Sequence, residues 1–138
     1  MAKIIAGDLP SHRQSVLFEV ASRAATDDKY SNFMFRAPHD LTVKAAYVSF
    51  ISAVTGAATN YFTVRVRNLG TNGSGTTDLA TKAFSSTSVT ASAKVPVALT
   101  LASTATMSAG EVMVAYIDHA GSGKASDIAI LQVDYTWT

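Results

Sequence analysis

The chain is 138 residues long, with eleven basic and ten acidic side chains, a formal net charge of +1, 48% hydrophobic residues and no cysteine. That length suits one domain with a core of its own, the missing thiols exclude disulfides and thiolate metal sites, and 15% charged residues at near-zero net charge do not supply the basic stripe that duplex nucleic acid requires. No apolar run approaches the roughly 18 residues of a membrane-spanning helix. The opening MAKIIAGDLPSHR breaks its short apolar run at Asp8 and Pro10, too early for a signal-peptide core, so synthesis in the cytoplasm is expected.

Residues 1–13 read as an extended arm outside the core, with Ile4, Ile5 and Leu9 as its apolar groups, and residues 14–138 read as a single domain. In QSVLFEVASRAA, Val16, Val20 and Arg23 also fit helical spacing, but Phe18 joins Val16 and Val20 at period two, which predicts a strand; Phe33 and Phe35 follow. In LTVKAAYVSFI the apolar positions pass from Val43 and Ala45 to Val48 and Phe50. The face therefore flips near Ala46 or Tyr47, through a bulge or because the strand is covered on both sides. YFTVRVR alternates strictly, Phe62, Val64 and Val66 on one face and Tyr61, Thr63, Arg65 and Arg67 on the other.

DLATKAFSS is a weaker strand. Val95, Val97, Leu99 and Leu101 alternate next, and Pro96 among them points to an edge or a strand start. VMVAYI, residues 112–117, is apolar on both faces, the mark of a central strand whose outer side is also covered, as by a second subunit. Leu131, Val133, Tyr135 and Trp137 alternate in the last strand. Turn signals separate these segments, among them ATDDK, APHD, TGAATN, LGTNGSGTT, MSAGE and HAGSGKASD. About eight strands result, and the expectation is an all-β fold, an antiparallel β-sandwich of jelly-roll-like form.

No motif carries chemistry. GSGK at residues 121–124 resembles the end of a phosphate-binding loop, but Asp118 stands where that pattern needs glycine and Ala125 where it needs serine or threonine, so it reads as a hairpin loop. His12, His39 and His119 each lie in or beside a turn, without a second histidine at metal-pair spacing. His39 with Asp40, and Asp118 with His119, are adjacent pairs that a strand sends to opposite faces. Ser74 and Ser122 lack the nucleophile elbow, and Asp27 and Asp28 read as a solvated turn. The reading is of a protein that is not an enzyme and needs no cofactor, metal or small-molecule substrate. The surface, rich in alanine, serine and threonine, is cheap to desolvate and suits protein contact. On the face of Tyr61, Arg65 and Arg67 an aromatic joins two guanidinium groups, a mixture enriched at interfaces.

The run LTVKAAYVSFISAVTGAATNYFTVRVRNLGTNGSGTTDLATKAF, then VPVALTL, then MSAGEVMVAYIDHAGSGKASDIAILQVDY, resembles small β-sandwich proteins of tailed bacteriophage heads. It does so through the TGA.TN turn, the G..G.GTT loop, ALTL, AGEV and the glycine-bearing loop before the last strand. The resemblance covers roughly residues 38–138. It implies a capsid decoration or cement protein, or a head fibre, on the outer face of the virion. The partners it implies are the major capsid protein and the chain itself, as a homotrimer in preference to a homodimer, with no nucleic acid or membrane. The candidate contacts are then Ile4, Ile5 and Leu9 of the arm, the Tyr61, Arg65 and Arg67 face, and Val112, Val114 and Tyr116. A receptor- or carbohydrate-binding tip is the alternative, for which exposed aromatics beside acidic and amide groups are expected.

Overall fold

Alternation in the sequence becomes paired strand in the structure, a computed structural model that describes residues 12–138. The arm's Ile4, Ile5 and Leu9 lie outside the described residues. Among the described residues there is no helix. The strands are β1 (Gln14–Val20), β2 (Lys29–Tyr30), β3 (Phe35–Arg36), β4 (Leu41–Phe50), β5 (Val54–Thr55), β6 (Tyr61–Asn68), β7 (Thr77–Ala83), β8 (Thr90–Ala91), β9 (Val97–Ala98), β10 (Thr100–Leu101), β11 (Thr106–Met107), β12 (Val112–Ala120) and β13 (Ala129–Trp137).

They form two layers. Sheet I runs β1, β13, β4, with β9 and β11 along the far side of β4; sheet II runs β10, β7, β6, β12, with β2 and β3 along the far side of β12. A small ribbon joins β5 to β8. With the short segments that share a side joined together and the ribbon set aside, nine strands remain; eight pair as nested hairpins, β1 with β13, β2 and β3 with β12, β4 with β9 and β11, β6 with β7, and β10 adds to the free side of β7. The result is an all-β fold of antiparallel strands in two facing sheets, a β-sandwich.

The inward faces make the core. Phe18, Val20, Val48, Leu131 and Val133 of sheet I meet Phe62, Val64, Val66, Met113 and Ile117 of sheet II, all of them fully buried. Burial of each such side chain contributes about 1.5–3 kcal/mol. At one end Phe50, Phe62 and Phe84 form a triangle with ring centroids 5.1 to 5.7 Å apart, the tilted and edge-on packing that aromatic quadrupoles favour.

The face of β4 does flip, but at Lys44 rather than near Ala46 or Tyr47. Asp134 pairs with Ala45 and Tyr135 with Val43, so Lys44 is the extra residue. The bulge keeps that ammonium in solvent while Leu41 and Val43 before it, and Ala46, Val48 and Phe50 after it, all turn inward. A second bulge, at Leu79 of β7, lets Leu79 and Ala80 both enter the core. The segment expected as one strand around Val97 divides between the layers. Val97 and Ala98 pair with β4, Thr100 and Leu101 with β7. Leu99 is buried where the chain crosses, and Pro96 stands just before β9, where its missing N–H costs no ladder bond.

Candidate functional site

The two outer faces of the sandwich are built differently. On sheet II, the alternation of β6 sends Arg65 and Arg67 outward, and the register sets Arg67 opposite Asp78. Arg67 Nε donates to Asp78 Oδ1 at 3.0 Å, while Arg65 donates from Nη1 to Asp78 Oδ2 at 2.5 Å and from Nε to Asp118 Oδ1 at 3.0 Å. The Arg67 guanidinium also lies 4.6 Å from the centre of the Tyr116 ring, a cation–π contact, and Tyr116 stacks on Tyr30 at 4.4 Å. A band of two cations, two anions and two aromatics thus crosses β7, β6, β12 and β2, and its charge sums to zero. Burial works against the Arg65 charge, but the carboxylates of Asp118 and Asp78 outweigh it and raise its pKa. The Tyr116 hydroxyl is pushed up by burial and by the nearby carboxylates of Asp28 and Asp118.

Arg65, Arg67 and Tyr116, expected as contact residues, are therefore bound to partners within the chain, and Tyr61 stands half-buried at the end of β6. The apolar outer side of β12 has an intrachain cover as well. Val114 is fully buried at the floor of a hollow of about 300 Å³ lined by Tyr30, Ser31, Met34, Leu69 and Gly73. Val112 is half-buried, its amide donating to Gly70 O at 3.1 Å and its carbonyl accepting from Leu69 N at 2.8 Å. Residues 30–34 and 69–73 of the same chain thus cover part of the outer side of β12, on which a second subunit was expected.

Sheet I is the open face. Leu17, Gln132, Tyr47 and Ala98 form one row across its four strands. A shallow depression of about 290 Å³ lies there, lined by Leu17, Tyr47, Ser49, Pro96, Ile130 and Gln132. On the same face Asp134 is almost fully covered and accepts hydrogen bonds from Ser15 Oγ at 2.6 Å and Gln132 Nε2 at 2.9 Å, while the exposed Glu19 pairs opposite Ile130. The sequence reading placed no site here. The signal was Leu17 and Ile130, apolar residues on the side of β1 and β13 that alternation assigns to solvent.

The histidines lie at strand ends and turns. His119 Nδ1 lies 2.7 Å from Asp28 Oδ1, which also accepts the His119 amide at 2.9 Å, while Asp118 faces Arg65, so the adjacent pair divides as strand geometry requires. Burial works to raise the Asp28 pKa, and the His119 amide and ring together with Arg23 overcome it and lower it. His39 presents an edge contact to Trp137 at 5.6 Å. Arg23, which sequence reasoning missed, is only 3% exposed and donates to the carbonyls of Lys124 at 2.7 Å, Asp27 at 2.8 Å and Ala25 at 3.2 Å. It ties two loops together over the Phe62 ring. In the GSGK loop, Ser122 N donates to Asn60 Oδ1 and Gly123 N to Ala120 O, so those amides are already used. A side chain on Gly123 would lie 1.9 Å from the Ala25 carbonyl, and its φ of +68° suits glycine alone. Among the described residues no group of histidines and carboxylates is arranged to hold a metal ion.

Comparison of the chain with protein-family models, with curated proteins and with solved structures finds no match.

Proposed function

We propose that the protein is a capsid decoration protein of a tailed-phage-like head. It lies on the outer surface of the shell and holds neighbouring major capsid protein subunits together by buried area, without making or breaking bonds. The observation that carries this reading is the division of the surface. On sheet II, Arg65, Arg67, Asp78 and Asp118 neutralise one another within the chain, while Leu17, Tyr30, Phe33, Met34, Ile51 and Val95 stay 45% to 65% exposed. Single exposed apolar residues are ordinary. Here, however, Tyr30 at the end of β2 lies close in sequence to Phe33 and Met34 of the following loop, and Leu17 joins Tyr47, Ile130 and Pro96 in one depression without a charged lining residue.

A contact of roughly 1,600 Å² suffices for stable association, and a ligand that binds only the assembled shell stabilises it by mass action. Self-association, as a trimer at three-fold positions or a dimer at two-folds, multiplies those contacts. The reading calls for no cofactor, nucleic acid, membrane or small substrate. The test uses heads assembled from the major capsid protein of the same genome. The protein is expected to co-sediment with them and to raise the temperature at which they rupture; if it stays in the supernatant at saturating concentration, the proposal fails.

One observation favours a second reading, a receptor- or carbohydrate-binding tip. The exposed rings of Tyr30 and Phe33 flank Asn32, whose Nδ2 donates to Glu19 Oε1 at 3.1 Å, so aromatics, an amide and a carboxylate lie together. Specific binding on a glycan array, lost in Phe33→Ala, would transfer the function to that loop.

A further inference from the structure

We propose that β1 is the edge through which two copies of this chain join, sheet I passing continuously from one copy to the other across a two-fold axis beside Ser15. This inference is independent of the capsid reading.

Sheet edges are templates for pairing, and natural proteins blunt them with short strands, lysine, proline or bulges. The other edges of this sandwich are blunted in those ways. Beyond β4 lie only β9 and β11, two residues each, with Lys94 and Pro96 leading in. Beyond β12 lie β2 and β3, again two residues each, with Lys29 in β2. The β7 side is bulged at Leu79, carries Lys82 and is capped by the two residues of β10. By contrast β1 is seven residues long, QSVLFEV, without lysine or proline, and it pairs with β13 without a register break. Among the described residues no strand lies along its outer side.

The hydrogen-bonding parity of that side follows from one contact. Asn32 N donates to Glu19 O at 2.9 Å, so the Glu19 carbonyl points away from β13. Alternate residues of an antiparallel strand direct both backbone groups to the same side. Leu17 and Ser15 therefore point their N–H and C=O outward, with Arg13 in the same parity. Asn32 closes the edge at Glu19, leaving residues 13, 15 and 17 to pair. The self-complementary register sets Ser15 against Ser15 of the second copy and Arg13 against Leu17, with two backbone bonds exchanged at each pair.

Charge agrees with this register. Arg13 of one copy comes diagonal to the exposed Glu19 of the other, within reach of a long side chain. Leu17, 54% exposed, gains a covered position, and the apolar depressions of the two copies merge into one wider face. A contact this short falls below roughly 1,200 Å², so the dimer is weak and its population depends on concentration.

Light scattering and sedimentation on the full chain test this. The expected mass rises with concentration from 14.5 kDa toward twice that value. Leu17→Pro removes an outward N–H that β13 does not use and is expected to hold the mass at one chain with the thermal midpoint unchanged. Arg13→Glu is expected to move dissociation to higher concentration. A proline could unfold β1, so amide hydrogen exchange on the unaltered chain supplies a second measurement: the Ser15 and Leu17 amides should exchange more slowly as concentration rises. A monomer at every concentration overturns the proposal, as does a dimer indifferent to Leu17→Pro. Protection of Ser15 and Leu17 that ignores concentration overturns it too, because it assigns the edge to residues 1–11 of the same chain.

Discussion

The outer faces of the two sheets present opposite solutions to the same problem. On β6, β7 and β12 of sheet II four charged side chains pair with one another, Asp78 with Arg65 and Arg67, Asp118 with Arg65, while Arg36 of β3 stays exposed at the margin. Sheet I exposes few charges, hides Asp134 beneath Ser15 and Gln132, and leaves Leu17 open beside Tyr47 and Ile130. A row of arginines on a strand does not advertise a binding surface when its neighbours carry the matching carboxylates. The blander face has no ion pair to break on desolvation, which makes it the cheaper of the two to cover.

The largest effect expected is one that breaks both faces together. Phe62 is fully buried between Phe50 and Phe84, and Phe62→Ala should cost about 3–5 kcal/mol through lost transfer energy and the cavity left behind. Urea unfolding followed by tryptophan fluorescence on sheet I and by hydrogen exchange on sheet II should give one shared, lowered midpoint. Separate midpoints would mean that the faces rest on independent cores. Next in size is Arg67→Ala, which removes a partner of Asp78 and uncovers the Tyr116 ring. With only 13% of that side chain exposed, the loss should be about 1–2 kcal/mol. Arg67→Lys should recover less than half, since an ammonium cannot pair with a carboxylate and stack on a ring at once. A stability unchanged by Arg67→Ala would remove the case for a self-satisfied sheet II.

The contrast between the faces was only half legible in the sequence. Period-two alternation located the long strands and their inward residues, because one-sided burial imprints itself on every second position. It could not pair Arg67 with Asp78, eleven residues along the chain, since that pairing depends on a register set by the Leu79 bulge. The doubly apolar β12 correctly indicated a covered outer side, yet nothing local distinguishes a cover made by a second subunit from one made by residues 30–34 and 69–73. Arg23 sits in a stretch of alanines and serines, and its burial comes from carbonyls of a loop about a hundred residues away. Leu17 was visible as an apolar residue on the wrong side of its strand and was passed over in favour of the charged face.

Acid should sharpen the distinction between faces and strand ends. The Asp28 carboxylate is held below its ordinary range, as is that of Asp127, which accepts from the Ile128 amide and the Ser52 and Ser22 hydroxyls. A carboxylate that binds its proton less tightly when folded contributes stability above its unfolded pKa of about 4 and loses it as pH falls through the folded value. The thermal midpoint should therefore hold steady down to about pH 4 and decline below it, with a shallower decline in Asp28→Asn. An unchanged slope in that variant would show that the His119 contact does not tie its loops.

The smallest stability change belongs to the open face, and it bears most directly on function. Leu17→Ser places a hydroxyl where more than half the side chain already meets water, so its effect on unfolding should stay within about 0.5 kcal/mol. If sheet I is the contact surface, the same substitution should weaken association with the head, because the truncated side chain no longer fills the partner's surface. The matching experiment on sheet II, Arg67→Ala, should reverse the pattern, with a measurable loss of stability and little change in binding by the molecules that remain folded. Two variants whose stability and binding effects run in parallel would mean that neither face is specialised, and the division between them would lose its functional meaning.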